Sequence, residues 1–351
     1  MLTIAACADT IRAGGLVAFP TETVYGLGAD AASDSAVAKI FAAKGRPADH
    51  PLIVHVADAA AVAVFASAVP DFAARLMHAF WPGPLTVILP RKEGVATACA
   101  GGQGSIGLRC PAHPMALELL AACAQRGVHG VAAPSANQFG RVSPTTAAHV
   151  RSEFAGAQAE PIAVLDGGAC SVGIESTIID CTRGAPVLLR PGVLTRAQLE
   201  TAMGQKLLSN EELSAHILQD EDAKNGLKND QNPVSGMPES APRASGTLDA
   251  HYAPVARLRM MDENALQTAL DVLGHEATHI AVYSRAVLRS PSEKLIRRRM
   301  PDDAVAAAQQ LFAALRDFDA QGVRLIWVQT PPAHSDWDGV RDRLQRAAAA
   351  D

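Results

Sequence analysis

Residues 16–31 read LVAFPTETVYGLGADA, and 13 positions further on stands Lys44-Gly45-Arg46-Pro47. The apolar run 16–19 reads as a strand. It empties into a loop carrying Thr21, Glu22, Thr23, Tyr25, Gly26 and Gly28. A helical pattern over 33–43, with Ser33 as N-cap, then delivers Lys44 and Arg46. Hydroxyls and glycines at a strand end, beside a fixed pair of cations, suit a phosphate-bearing ligand. Lys44 and Arg46 read as a clamp on triphosphate oxygens, with Arg46 able to bind bidentately. The competing reading is a basic helix C-terminus that complements the macrodipole. Residues 26–31, GLGADA, superficially match the dinucleotide fingerprint. That fingerprint opens a helix directly after a strand, whereas here 20–25 intervene, so NAD binding is rejected.

Outward from this stretch, helical and strand patterns alternate. Residues 3–13, 71–80, 114–125 and 145–154 read as helices. Residues 52–56, 85–89, 128–133, 162–166, 176–180 and 187–190 read as strands. This is an α/β domain with a mixed sheet. Near residue 206 the character changes. Within 209–245 a polar stretch without aromatic residues reads as a linker. Strand patterns at 256–261, 279–283 and 324–329, with helical ones at 263–273, 304–318 and 337–348, then give a smaller Rossmann-like α/β unit. The expected division is 1–205, a linker or lid at 206–254, and 255–351.

Several side chains stand where open α/β sheets bind ligands. Ser135 and Asn137 follow the apolar 131–134, at a strand's carboxyl end; turn chemistry is the alternative. Ser143 or Thr145 caps the next helix, and such an end can also hold phosphate. Arg109 and Arg190 each end a short strand before a proline or Cys-Pro and look like anion clamps. His55 lies in an apolar strand, where a satisfied core histidine is the ordinary finding.

Further motifs come in order: Trp81-Pro82-Gly83-Pro84-Leu85-Thr86, Gly107-Leu108-Arg109-Cys110-Pro111, Ala133-Pro134-Ser135-Ala136-Asn137, Ser143-Pro144-Thr145, Gly173-Ile174-Glu175-Ser176-Thr177-Ile178 and Leu189-Arg190-Pro191-Gly192. With the opening stretch, the ordered set resembles the threonylcarbamoyl-AMP synthase family, whose catalytic domain is called YrdC-like. The resemblance is dense over 5–200, and His251-Tyr252-Ala253-Pro254 is similar to a motif its two-domain members carry in the linker.

The resemblance implies a YrdC-like mixed twisted sheet with flanking helices. It implies that L-threonine, bicarbonate and ATP give threonylcarbamoyl-AMP, pyrophosphate and water, with Mg2+ accompanying ATP; the metal ligands stay unassigned. Lys44, Arg46 and Arg190 would meet phosphate charge, and Lys44 and Arg46 are the catalytic expectation. His50, Ser105, Ser135, Asn137, Ser143 and Tyr252 would contact nucleotide. Thr23, His55, Arg109 and Ser176 would hold threonine. The product would feed a tRNA threonylcarbamoyl transferase. The second reading is a non-catalytic module for double-stranded RNA or tRNA, and the third a carbamoyl-transferring maturation activity.

Charge bears on these readings. The chain has a net charge of -5, and residues 1–200 hold 14 Lys+Arg against 15 Asp+Glu. Tight phosphate-backbone binding is disfavoured, leaving room only for weak RNA contact. The third reading lacks the cysteine pairs that such proteins carry. The six cysteines form no Cys-x-x-Cys pair and read as reduced thiols of a cytoplasmic protein. The first residues lack the basic region of a secretory signal, and no apolar run suffices for a membrane span.

Overall fold

In the computed structural model, which describes residues 2–156, 162–215 and 241–350, the quoted stretch is a hairpin rather than a strand and loop. After α1 (Ile4–Arg12), β1 (Val17–Phe19) pairs antiparallel with β2 (Gly26–Asp30), Val17 opposite Gly28 and Phe19 opposite Gly26. β2 escapes a propensity reading because Gly-Leu-Gly-Ala-Asp is a poor strand sequence. Its glycines are needed for packing: a Cβ on Gly28 would lie 2.7 Å from the Phe19 ring and 2.8 Å from Val131.

The chain continues through α2 (Asp34–Lys44), β3 (Ile53–His55), α3 (Val62–Phe65), α4 (Asp71–Phe80), β4 (Leu85–Pro90) and β5 (Ser105–Arg109). Next come α5 (Pro114–Ala124), β6 (Val131–Ala132), α6 (Ala147–Glu153), β7 (Ala163–Val164), β8 (Thr177–Asp180), β9 (Val187–Arg190) and α7 (Arg196–Met203). The expected strand over 128–133 is shorter because Val128 still closes the turn after α5, its N–H donating to the Cys123 carbonyl at 3.0 Å. α7 is a helix that the sequence reading omits, although Thr195 and Gln198 form a capping box at its start. The strands make one mixed nine-stranded sheet in the order β7-β1-β2-β6-β3-β5-β4-β8-β9.

A second, four-stranded sheet in the order β10-β13-β11-β12 is parallel throughout. Its strands are β10 (Arg257–Met261), β11 (Ile280–Ser284), β12 (Ile296–Arg299) and β13 (Leu325–Gln329). They are interleaved with α8 (Glu263–Leu273), α9 (Ala304–Ala320) and α10 (Asp338–Ala348). Ile-Arg-Arg-Arg makes β12 an edge strand, whose cations hid it from a search for apolar runs. The linker expected over 206–254 falls partly outside the described residues, at 216–240.

One buried apolar cluster joins the two parts: Val24, Val142 and Ile174 of the first pack with Tyr252, Leu311 and Phe312. All six cysteines are buried and unpaired. No helix among the described residues is long and apolar enough to cross a membrane.

Candidate active site

The sheet register builds the site. β3 and β5 run parallel with His55 beside Arg109, so both side chains reach the same carboxyl edge. On β8 and β9 the register sets Ile178 opposite Arg190 and so brings that arginine alongside Ser176. His55, Arg109, Ser176 and Arg190, with Arg46, Ser135, Glu175, Ser245, Gly246, His251 and Tyr252, line a cavity of about 40 Å³.

Gly45 caps α2 in the left-handed conformation at φ 60°, so the two cations flanking it diverge. The two cations of the expected clamp therefore have different surroundings. Lys44 turns inward, donating to the carbonyls of Ser135 and Asn137, and does not line the cavity. Burial first, then the Arg46 charge, holds the Lys44 pKa well below the usual lysine value. Arg46 does face the cavity. It donates to Pro51 O at 3.1 Å and Ser245 Oγ at 3.2 Å, while its guanidinium stands 5.6 Å from the Phe139 ring centre. Burial lowers the Arg46 pKa to about 10, so it is cationic at neutral pH.

Arg190 donates from Nε and Nη2 to Ser176 O at 3.1 and 2.9 Å, and from Nη1 to Ser245 O at 2.7 Å. Ser176 Oγ lies 2.7 Å from Thr86 Oγ1. Arg109 is pinned by Glu22 at 2.6 Å, and the second Glu22 oxygen accepts from Ala112 N at 2.9 Å. Arg46, Arg109 and Arg190 are only 8%, 4% and 3% exposed. Three buried cations converging from separate elements make a strong anion site.

The remaining expected residues divide. Thr23 does not line the cavity; it stands behind Thr21, the two hydroxyls 2.8 Å apart, and Thr21 forms the wall. Ser143 donates to the Glu175 carboxylate. Ser105 lines a smaller adjoining cavity that shares Ile53 and Ser245 with the first. His50 is half-buried against Phe139, ring centres 5.3 Å apart, and lines neither. Tyr252 roofs the main cavity, stacked on Phe312 at 5.6 Å. Asn137 uses its amide nitrogen on the carbonyls of Gln138 and Arg141.

Four buried polar atoms here have no hydrogen-bond partner among the described residues: Arg46 Nε, His55 Nδ1, Asn137 Oδ1 and His251 Nδ1. Orphans of this kind are costly unless a ligand meets them. Burial, aided for His55 by Arg109, drops the pKa of His55 and of His251 to about 3, so both rings are neutral at pH 7.

Glu22, Glu175 and Arg343 are residues at or behind the site to which sequence reasoning gave no role. Arg343 had a signal: it stands on the apolar stripe of α10 with Val340, Leu344 and Ala347, where an arginine needs a buried partner. That partner is Glu175, at 2.8 Å.

A mixed sheet whose strand ends aim Arg109 and Arg190 into one roofed cavity, with Arg46 entering from the end of α2, defines an α/β protein with a cavity suited to an anion. Comparison with known proteins narrows this. A family model for Sua5, YciO and YrdC proteins, described as "Telomere recombination", matches residues 9–192, and one described as "Threonylcarbamoyl-AMP synthase, C-terminal domain" matches 194–349. The threonylcarbamoyl-AMP synthase of Pyrococcus abyssi is 35% identical over 97% of this chain and 92% of its own length. That of Bacillus subtilis is 36% identical over 98% and 92%. A crystal structure of P. abyssi Sua5 complexed with L-threonine superposes with a TM-score of 0.80 at 35% identity, covering 98% of this chain and 94% of that one. The chain belongs to the threonylcarbamoyl-AMP synthase family.

Proposed function

We propose that this chain converts L-threonine, bicarbonate and ATP into threonylcarbamoyl-AMP, pyrophosphate and water. The observation that carries the reading is the convergence of Arg46, Arg109 and Arg190 on one cavity beside Ser176 and a neutral His55. The threonine amine attacks bicarbonate or the CO2 it releases. The carbamate oxygen then attacks the α-phosphorus, and pyrophosphate leaves. Placement and neutralisation of phosphate charge dominate such a step.

In this reading Arg46 and Arg190 face the phosphates. Lys44 acts by fixing the loop that bears Ser135 and Asn137. Ser105, Ser143, His50 and Tyr252 belong to the nucleotide side. His55, Arg109 and Ser176 hold threonine, with Thr23 supporting Thr21. A module that only binds RNA would present its cations on an open face, whereas these three are buried.

The described residues offer no cluster of three or more His, Cys, Asp or Glu that could hold a metal, and the Glu22 and Glu175 carboxylates are engaged by arginines. They do not fit a resident metal; Mg2+ is proposed only as the counter-ion that enters with ATP. The product is a mixed anhydride. We propose that a tRNA threonylcarbamoyl transferase consumes it, with RNA contact here weak and the compartment cytoplasmic. Mass detection of threonylcarbamoyl-AMP after incubation with the three substrates tests the reading; unchanged ATP or AMP alone contradicts it.

A further inference from the structure

α10 belongs to the smaller part of the fold, yet one face of it packs on Glu175 and Tyr252, which line the cavity. Gly339, Arg343 and Arg346 follow one another at helical spacing along that face. Gly339 is in close contact with the loop after β9: a Cβ there would lie 2.5 Å from the Gly192 carbonyl oxygen. Arg343 is fully buried. Its Nε donates to Glu175 Oε2 at 2.8 Å, its Nη2 to Glu175 O at 3.2 Å and its Nη1 to Pro191 O at 2.7 Å. The same guanidinium stands 5.2 Å from the centre of the Tyr252 ring. Arg346 accepts at its carbonyl from His251 N at 3.2 Å and donates to the Leu248 carbonyl.

The geometry points to Arg343 as a positioning residue for the proposed reaction: it sets the Tyr252 roof and the Glu175 wall of the cavity from the C-terminal part of the chain. Adhesion alone does not call for it. The apolar contacts of Val24, Val142 and Ile174 already join the two parts, and a buried ion pair is a poor source of stability. What the fork supplies is geometry. It reaches two partners on the cavity side while its face packs on the one tyrosine that closes the roof. Arg346 holds the backbone just before that tyrosine, so the face of α10 is a seat for residues 248–252.

This inference rests on the proposed function, because it takes nucleotide to lie under Tyr252. The test is ATP affinity by calorimetry, together with KM and kcat for pyrophosphate release, in the full-length protein. Arg343→Lys keeps the charge and loses the fork. We expect ATP binding about tenfold weaker, KM for ATP raised to match, and KM for threonine within about twofold. In a Tyr252→Ala background the same change should have less than a twofold effect, since Arg343 acts through that ring. A purely structural role would lower the melting temperature and the active fraction, leave KM for ATP unchanged, and give effects that multiply with Tyr252→Ala; either result overturns the inference. Arg346→Ala removes one partner of Asp342 but leaves that carboxylate paired with Arg343 at 2.7 Å, and should weaken ATP severalfold. If Arg343→Lys fails to fold and Arg346→Ala binds ATP as wild type does, the inference is also overturned. A wild-type protein that neither binds ATP nor releases pyrophosphate removes the functional reading and this inference with it. Wild-type turnover with unaffected variants removes this inference alone.

Discussion

Arg46 Nη2 and Ser245 Oγ meet at 3.2 Å across 199 positions of sequence, and Ser245 O accepts from Arg190 at 2.7 Å. One serine thus touches both cations that face the proposed phosphate site, and with Gly246, His251 and Tyr252 it makes this segment part of the cavity wall rather than a tether.

Arg46→Ala removes a charge-assisted partner from that site. One such contact is worth roughly 1.5–3 kcal/mol, so pyrophosphate release should fall at least about tenfold. Arg46→Lys should recover little, since an ammonium cannot reproduce the fork. Steady-state kinetics on folded variants checks this; wild-type turnover in Arg46→Ala contradicts it.

Gly246 has φ 72°, and a Cβ there would lie 2.2 Å from the Tyr252 hydroxyl and 2.8 Å from Arg190 Nη1. Gly246→Ala should therefore displace the roof and weaken ATP binding several-fold, and the strain of alanine at that φ should also lower the melting temperature. Calorimetry and thermal unfolding on one preparation separate the two quantities. An unchanged ATP affinity would remove the roof from the binding site.

Much of this arrangement is visible in the sequence. Apolar runs bounded by Pro, Gly and cap residues mark helices such as α4 and α8 at their observed limits. Arg109 and Arg190 stand out because each ends a strand at a proline boundary. Other features are set by tertiary packing. β2 is a strand because its glycines fit under Phe19, which no local propensity reports. Lys44 and Arg46 are two residues apart and look equivalent, yet the left-handed Gly45 sends one into the interior and one to the cavity. Glu175 and Arg343 are 168 residues apart, and only the docking of α10 brings them together.

Glu22 shows what that packing supports. Glu22→Ala would leave Arg109 buried without its counter-charge and bare Ala112 N. Breaking a buried pair by removing one partner costs about 3–5 kcal/mol. Urea unfolding should register that loss, accompanied by weaker threonine binding. A loss below about 1 kcal/mol would mean that water replaces the carboxylate.

Acid should destabilise the fold in a defined window. His55 and His251 have native pKa values of about 3 against an ordinary 6.5, because burial disfavours their charged forms. Between pH 6.5 and about 3 the unfolded chain therefore binds more protons, and stability falls as pH falls. Glu175 acts in the same direction. Burial alone would raise its pKa, but Arg343 and Arg190 bring it below the usual carboxylate value, so its contribution is lost as pH drops through that native pKa. Each histidine contributes up to about 1.4 kcal/mol per pH unit. His251→Asn should flatten the urea midpoint against pH between 6.5 and 4.5; a slope identical to wild type contradicts the neutral buried ring.

The most direct measurement is pyrophosphate release from ATP by the full-length protein, with threonine and bicarbonate supplied together and each omitted in turn. The account predicts release above background only when both are present, and release lost when valine replaces threonine. Release that proceeds without threonine or without bicarbonate, or none with all three present, would contradict it.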